Sequence, residues 1–221
     1  MMSTLTYDLA AFKTPVAGQP TLFLLGPVAQ FLATPEQTTE QFTVLRSTVA
    51  PGVVLPLHRH RETEWLFVLE GTLQVWADRQ EQPQWIEIAA RESVLIPSQA
   101  RHAIRNTSDT PAIVILVAAA RIGHLFEQIT TPLAPGERPP LLPTPELIQK
   151  FLAKQAEYGY WSASPEESAA IGIHLAPLRT RSSNEIAISY QLRSFRDAVT
   201  KLKNKFGIII TRGTIRNPGY W

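Results

Sequence analysis

The chain has 221 residues, 44% of them hydrophobic and 18% charged, a globular balance with too much apolar content for a disordered polymer. It has no cysteine, which excludes disulfides, thiolate catalysis and cysteine-based zinc or iron–sulfur centres, so any metal must rest on His, Asp or Glu. The net charge of +2 is unevenly spread: residues 1–180 carry 13 Lys+Arg against 17 Asp+Glu, and residues 181–221 carry 8 against 2.

The N-terminus, MMSTLTYDLAAFK, has neither a basic lead nor a long apolar run. It does not read as a secretory signal, which makes the cytoplasm the expected compartment. Residues 1–40 are expected to pack across the domain that follows or against a second subunit. Residues 41–130 form short apolar runs broken by turn residues, the rhythm of a closed β architecture. Strands are predicted at 42–49, 53–58, 64–70, 72–77, 84–88, 93–96, 101–106 and 112–120. Turns are expected at Pro51-Gly52, Glu70-Gly71, Asp78-Arg79-Gln80 and Asn106 to Asp109. The apolar stretch Ala112–Ala120 is too short to span a bilayer as a helix and reads as a buried strand.

Six prolines between 131 and 145 predict an extended connector. A helix follows from Pro145 to the stop at Gly159, with Leu147, Phe151, Leu152 and Gln155 near one face. Ser164 is placed to cap a second short helix opened by Pro165-Glu166-Glu167. A third, basic helix is expected over 191–205 and a last strand at Ile208–Thr211, within a basic extension, 181–221. Because its bases are neither contiguous nor interleaved with stacking aromatics, that extension reads as a solvated or subunit-contacting appendage. No nucleic-acid or membrane partner is expected.

The chemistry concentrates in two segments. In the first, Gly52 is followed by His58, His60, Glu64 and Gly71. Two histidines two apart on a strand leave one face and can share an ion, and Glu64, on the same or the next strand, can return a carboxylate to that side. In the second, Pro97, His102 and Asn106 offer a third imidazole about forty residues later. Three imidazoles and a carboxylate suit one divalent transition metal: Fe, Ni, Mn, Co, Cu or Zn. His124 and His174 have no partners at ligand spacing, and Asn106 reads as a turn-former.

These segments resemble the two motifs of the cupin superfamily. PGVVLPLHRHRETEWLFVLEG matches the first in full and VLIPSQARHAIRN the second, except that Arg91 and Gln99 stand where glycines are usual. From about Leu25 to Ile173 the chain is similar to single-barrel cupins related to quercetin 2,3-dioxygenases. The resemblance implies an all-β fold, a double-stranded β-helix or jelly-roll barrel with a mainly helical C-terminal extension. It also implies metal ligands at His58, His60, Glu64 and His102, with Glu64 accepting the substrate's hydroxyl proton.

The activity so implied is a metal-dependent dioxygenase acting on an enolic or phenolic small molecule. The alternatives are a metal-dependent isomerase, decarboxylase or hydrolase, or a non-enzymatic small-molecule-binding cupin. Leu66, Val68, Val75, Ile96 and Ile104 are candidates for an apolar pocket wall, and Trp65 or Trp76 for a flat surface under an aromatic ring. A homodimer is expected because strand-rich edges need cover.

Overall fold

The computed structural model describes residues 11, 13–78, 83–140, 143–174, 176–178 and 187–189. The basic helix expected over 191–205, the strand at 208–211 and nearly all of the extension containing them lie outside the described residues. So do Arg79 and Gln80.

Strands come first: β1 (Thr21–Phe23), β2 (Val28–Ala33), β3 (Phe42–Val49), β4 (Val54–Arg59), β5 (Glu64–Glu70), β6 (Thr72–Ala77), β7 (Gln84–Ala89), β8 (Ser93–Ile96), β9 (His102–Arg105) and β10 (Ala112–Ala119). Then follow α1 (Ala120–Ile129), β11 (Thr131–Leu133), α2 (Pro145–Tyr158), β12 (Trp161–Ser162), α3 (Pro165–Ala170), β13 (Ala176–Leu178) and β14 (Ala187–Ser189). Two antiparallel sheets face each other, one ordered β11-β1-β2-β3-β10-β5-β8 and the other β12-β4-β9-β6-β7; β13 and β14 pair separately. This is the jelly-roll arrangement expected from the sequence.

The eight predicted strands all form, because alternation of apolar and polar side chains lets one face of each strand bury. On the neighbouring strands β3 and β10 it runs without a break, Thr43, Leu45, Ser47 and Val49 pairing side by side with Ala118, Leu116, Val114 and Ala112 on the buried face of the larger sheet. The strand predicted at 112–120 ends one residue early, since Ala120 already belongs to α1. The N-terminal segment contributes two strands to the larger sheet, β2 pairing with β3. The proline-rich connector holds one short strand, β11, whose Pro132 sits on an outermost strand where a missing N–H costs least.

The turns that lack the usual glycines keep a glycine's backbone. Arg91 (φ 71°) and Gln99 (φ 65°) both adopt the left-handed region. Each is held by its amide, Arg91 N–H donating to Val68 O and Gln99 N–H to His60 O, both at 2.8 Å.

α2 begins at the cap Thr144, whose Oγ1 accepts from Leu147 N–H, and ends at Gly159. Its buried side carries Ile148, Phe151 and Gln155; Leu152, expected there, is exposed. α3 starts with a full capping box between Ser164 and Glu167. It lies beside β4, next to an outer cluster in which Leu57, Ala103, Ala163 and Ile173 pack with Trp76, Trp85 and Trp161. No helix among the described residues is long and apolar enough to cross a membrane.

Candidate metal centre

His58 lies near the end of β4 and directly faces His102, the first residue of β9. His60 lies just past β4 rather than on it, and Glu64 opens β5 in the opposite sheet. The histidines therefore gather at the smaller sheet, and Glu64 approaches two of them from the larger one. The imidazole nitrogens of His58, His60 and His102 lie within 4.8 Å of one another. The Glu64 carboxylate spans two of them, Oε1 3.6 Å from His60 Nε2 and Oε2 3.6 Å from His102 Nε2.

Each ring is oriented by the same device. His58 Nδ1 lies 2.7 Å from Pro56 O, His60 Nδ1 3.0 Å from Glu62 O, and His102 Nδ1 2.9 Å from Ala100 O. A carbonyl accepts, so the contacts fit a proton on Nδ1 and leave Nε2 as a lone pair turned toward the common point. Burial pushes the His58 imidazole down to about 4. It also lowers His60 and holds His102 well below the ordinary histidine range. All three are thus neutral at neutral pH, the form that binds a cation. Burial, with the neighbouring Glu62 carboxylate, raises Glu64 to about 7. A cation beside it would reverse that rise.

The residues fit a divalent transition metal on their own chemistry. His102 Nε2 is fully buried with no hydrogen-bond partner, a costly orphan unless an ion takes its lone pair. The donor set is all imidazole and carboxylate, suited to Fe, Ni, Mn, Co, Cu or Zn.

Behind this first layer stands a network that sequence reasoning missed. Glu62, 6% exposed, receives a 2.6 Å hydrogen bond from Arg121 Nη1 of α1, and Arg121 Nη2 donates to Tyr158 O at the end of α2. Against the upward push of burial, Arg121 holds the Glu62 carboxyl below its usual range. Tyr160 lies beside both, its ring 5.0 Å from that of His60, and burial raises its hydroxyl strongly. Glu62 lies two residues from His60 and two from Glu64, so spacing does not separate its role from theirs, and Arg121 is 59 residues away, so no local pattern marks the pair.

An apolar cavity of about 150 Å³ adjoins the histidines. At roughly 10–15 Å³ for each water it has room for about ten. Of the predicted wall residues, Leu66 and Ile104 line it, with Leu125, Phe126 and Phe151 from the helices. Val68, Val75 and Ile96 belong instead to the barrel core. Neither predicted tryptophan faces the cavity: Trp65 is exposed beside Phe67, and Trp76 packs on Trp85 in the outer cluster. The correction follows from the strand period of two, because Trp65 and Leu66, adjacent in sequence, must take opposite faces.

Asn106 is a structural clamp. Its amide donates to Val49 O and Thr110 O at 2.8 Å each, and its Oδ1 accepts from Ser108. His124, expected to stand alone, meets Glu40 at 2.6 Å and Glu127 at 3.2 Å, and His174 is exposed.

Two facing sheets, a three-histidine cluster at their junction and the motif spacing coincide with a family match: the profile of the Cupin domain family covers residues 45–118. The chain carries a cupin domain over those residues. The chain is 27% identical over 145 residues, 63% of its length, to quercetin 2,3-dioxygenase of Bacillus subtilis (strain 168). It spans 42% of the length of that relative. Among solved cupin structures it is similar to oxalate decarboxylase of Lactobacillus farciminis (TM-score 0.44, 19% identity, 50% of this chain and 33% of that one). It is also similar to an RmlC-like cupin of Shewanella frigidimarina (TM-score 0.42, 17% identity, 50% and 92%).

Proposed function

We propose that this cupin is a metal-dependent dioxygenase acting on an enolic or phenolic small molecule, with His58, His60, Glu64 and His102 holding the metal. The observation that carries this reading is the convergence of three neutral imidazoles and one buried carboxylate on a point beside an apolar cavity. A divalent transition metal bound there supplies a Lewis acid that acidifies a coordinated enol or phenol. The likeness to a quercetin 2,3-dioxygenase supports the choice of reaction.

The chain's own residues do the rest. The three Nδ1 contacts hold the rings in place, so no reorganisation is needed when ligand enters. Glu64, whose carboxylate stands among the imidazoles at the edge of the cavity, is placed to take a hydroxyl proton and to give it back. The aliphatic and aromatic wall excludes water from the electron-rich ring that meets dioxygen.

The exposed Trp65, Leu69 and Leu95 on the outer face of the larger sheet support a homodimer in which a second copy covers them.

The test is oxygen uptake by protein reconstituted in turn with Fe, Ni, Mn, Co, Cu and Zn, against flavonols, other enolic aromatics and diketones. Uptake that needs both metal and substrate is expected. Tight stoichiometric metal without uptake would redirect the reading to an isomerase, decarboxylase or hydrolase, or to a binding protein.

A further inference from the structure

Gln155 sits where an apolar residue belongs. It is 5% exposed, on the buried side of α2 with Ile148 and Phe151, and it lines the cavity with Phe151, Leu125 and Phe126. A carboxamide offers two donors and two acceptor sites. Among the described residues it makes one side-chain hydrogen bond, Ser162 Oγ donating to its Oε1 at 2.8 Å. Its Nε2 is left without one, on a residue that lines the cavity. Turning the amide over would only exchange which end is free, because Ser162 satisfies one end in either pose.

Ser162 is placed by β12. It pairs directly with His58 across the antiparallel ladder, so both side chains leave the same face, and it stands at the exposed mouth of the cavity. The pair register is anchored by Ala163 N–H donating to Leu57 O at 2.9 Å. The result is a polar couple one strand away from the histidines in a wall that is mostly apolar, with Ser47 and Tyr160 as further polar side chains. An amide with a free donor in a mostly apolar wall is available to a ligand, and such departures from the apolar pattern belong to functional surfaces.

We propose that Gln155 and Ser162 form a subsite that selects ligands carrying a second hydrogen-bonding group a few bonds beyond the oxygen held at the histidines. The proposal rests on the reading that a phenolic or enolic ligand binds at a metal held by His58, His60, Glu64 and His102. Gln155 is the specificity-determining residue, and Ser162 fixes the pose of its amide.

The test compares anaerobic binding of matched ligands to cobalt-loaded protein, followed by calorimetry and cobalt absorption. The probes are 3- and 4-methylcatechol against 3- and 4-(hydroxymethyl)catechol, which differ only by one terminal hydroxyl. Wild type is expected to favour one hydroxymethyl isomer by about ten-fold, the scale of one hydrogen bond to a neutral partner. Gln155→Leu and Ser162→Ala should each bring that ratio close to one, with cobalt content and methylcatechol affinity unchanged. The melting temperature of Gln155→Leu should be equal to or above wild type.

Wild type that binds all four catechols without discrimination overturns the subsite alone. So does a ratio that survives both substitutions, or a Gln155→Leu protein whose melting temperature falls by more than about five degrees, since the amide would then be structural. If Gln155→Leu does not fold, the same ratio is read in Ser162→Ala. Cobalt-loaded wild type that binds no catechol overturns the metal-centred reading, and the subsite with it.

Discussion

His102 Nε2, from the smaller sheet, lies 3.6 Å from Glu64 Oε2, from the larger, and neither atom's residue is more than a tenth exposed. The two sheets meet chemically at this contact. An imidazole without a hydrogen-bond partner at Nε2 faces a carboxylate that burial pushes up to about 7, and a cation between them would relieve both costs.

Removing an imidazole should therefore remove the metal and leave the barrel. His58→Ala and His102→Ala are expected to lose stoichiometric metal, measured by elemental analysis, while keeping the wild-type far-ultraviolet dichroism, since the core is built from Leu45, Val68, Val114 and their neighbours. Full metal occupancy in both variants would show that these residues are not the ligands.

Glu64→Gln keeps the shape of the side chain and removes its basicity. Oxygen uptake should fall by about a hundred-fold or more, the usual contribution of a positioned base. Metal should be retained at reduced affinity through the three histidines. Unchanged uptake with metal in place would remove Glu64 from proton transfer.

Glu62 orients rather than ligates. Glu62→Gln should weaken metal binding by about ten- to a hundred-fold, because His60 loses part of the support behind its Nδ1. A competition titration with a calibrated chelator measures this. Glu62→Ala should be worse folded as well, as it strands the Arg121 guanidinium that Glu62 now accepts from.

Arg91 and Gln99 carry side chains in a backbone region that favours glycine. Arg91→Gly and Gln99→Gly are each expected to stabilise the protein by about 1 kcal/mol, reduced by glycine's greater freedom in the unfolded chain. Urea denaturation of metal-free protein gives the comparison, and a loss of stability in both would mean that the side chains hold the turns.

His124 offers a pH test away from the candidate metal centre. Its hydrogen bond to Glu40, aided by Glu127, raises its pKa in the folded protein. The sign follows from linkage: the stabilisation is fully present below the unfolded value near 6.5 and is lost as pH rises through the higher folded value. Wild type minus His124→Gln in melting temperature should be positive at pH 6, shrink toward pH 9, and shrink at pH 6 as salt is added, because the group is a third exposed. A difference independent of pH would show that packing, not charge, is responsible.

The strands, the caps and the histidine pair were legible in the sequence because each is a short-range pattern. A two-residue alternation decides which face of β3 or β5 is buried, Thr144, Pro145 and Gly159 bracket α2, and the spacing of His58, His60 and Glu64 marks a coordinating set.

What the tertiary structure decided is everything that depends on which distant segments meet. It put Glu64 and His102 on opposite sheets, brought Arg121 onto Glu62, laid Ser162 beside His58, and turned Gln155 of α2 toward the cavity. It also sent Trp65 and Trp76 outward, against the expectation of a flat wall under an aromatic ring. No local spacing encodes these contacts, because a helix or strand dictates the face a side chain takes but not what packs against it, and that is settled only when the whole chain buries its apolar surface together.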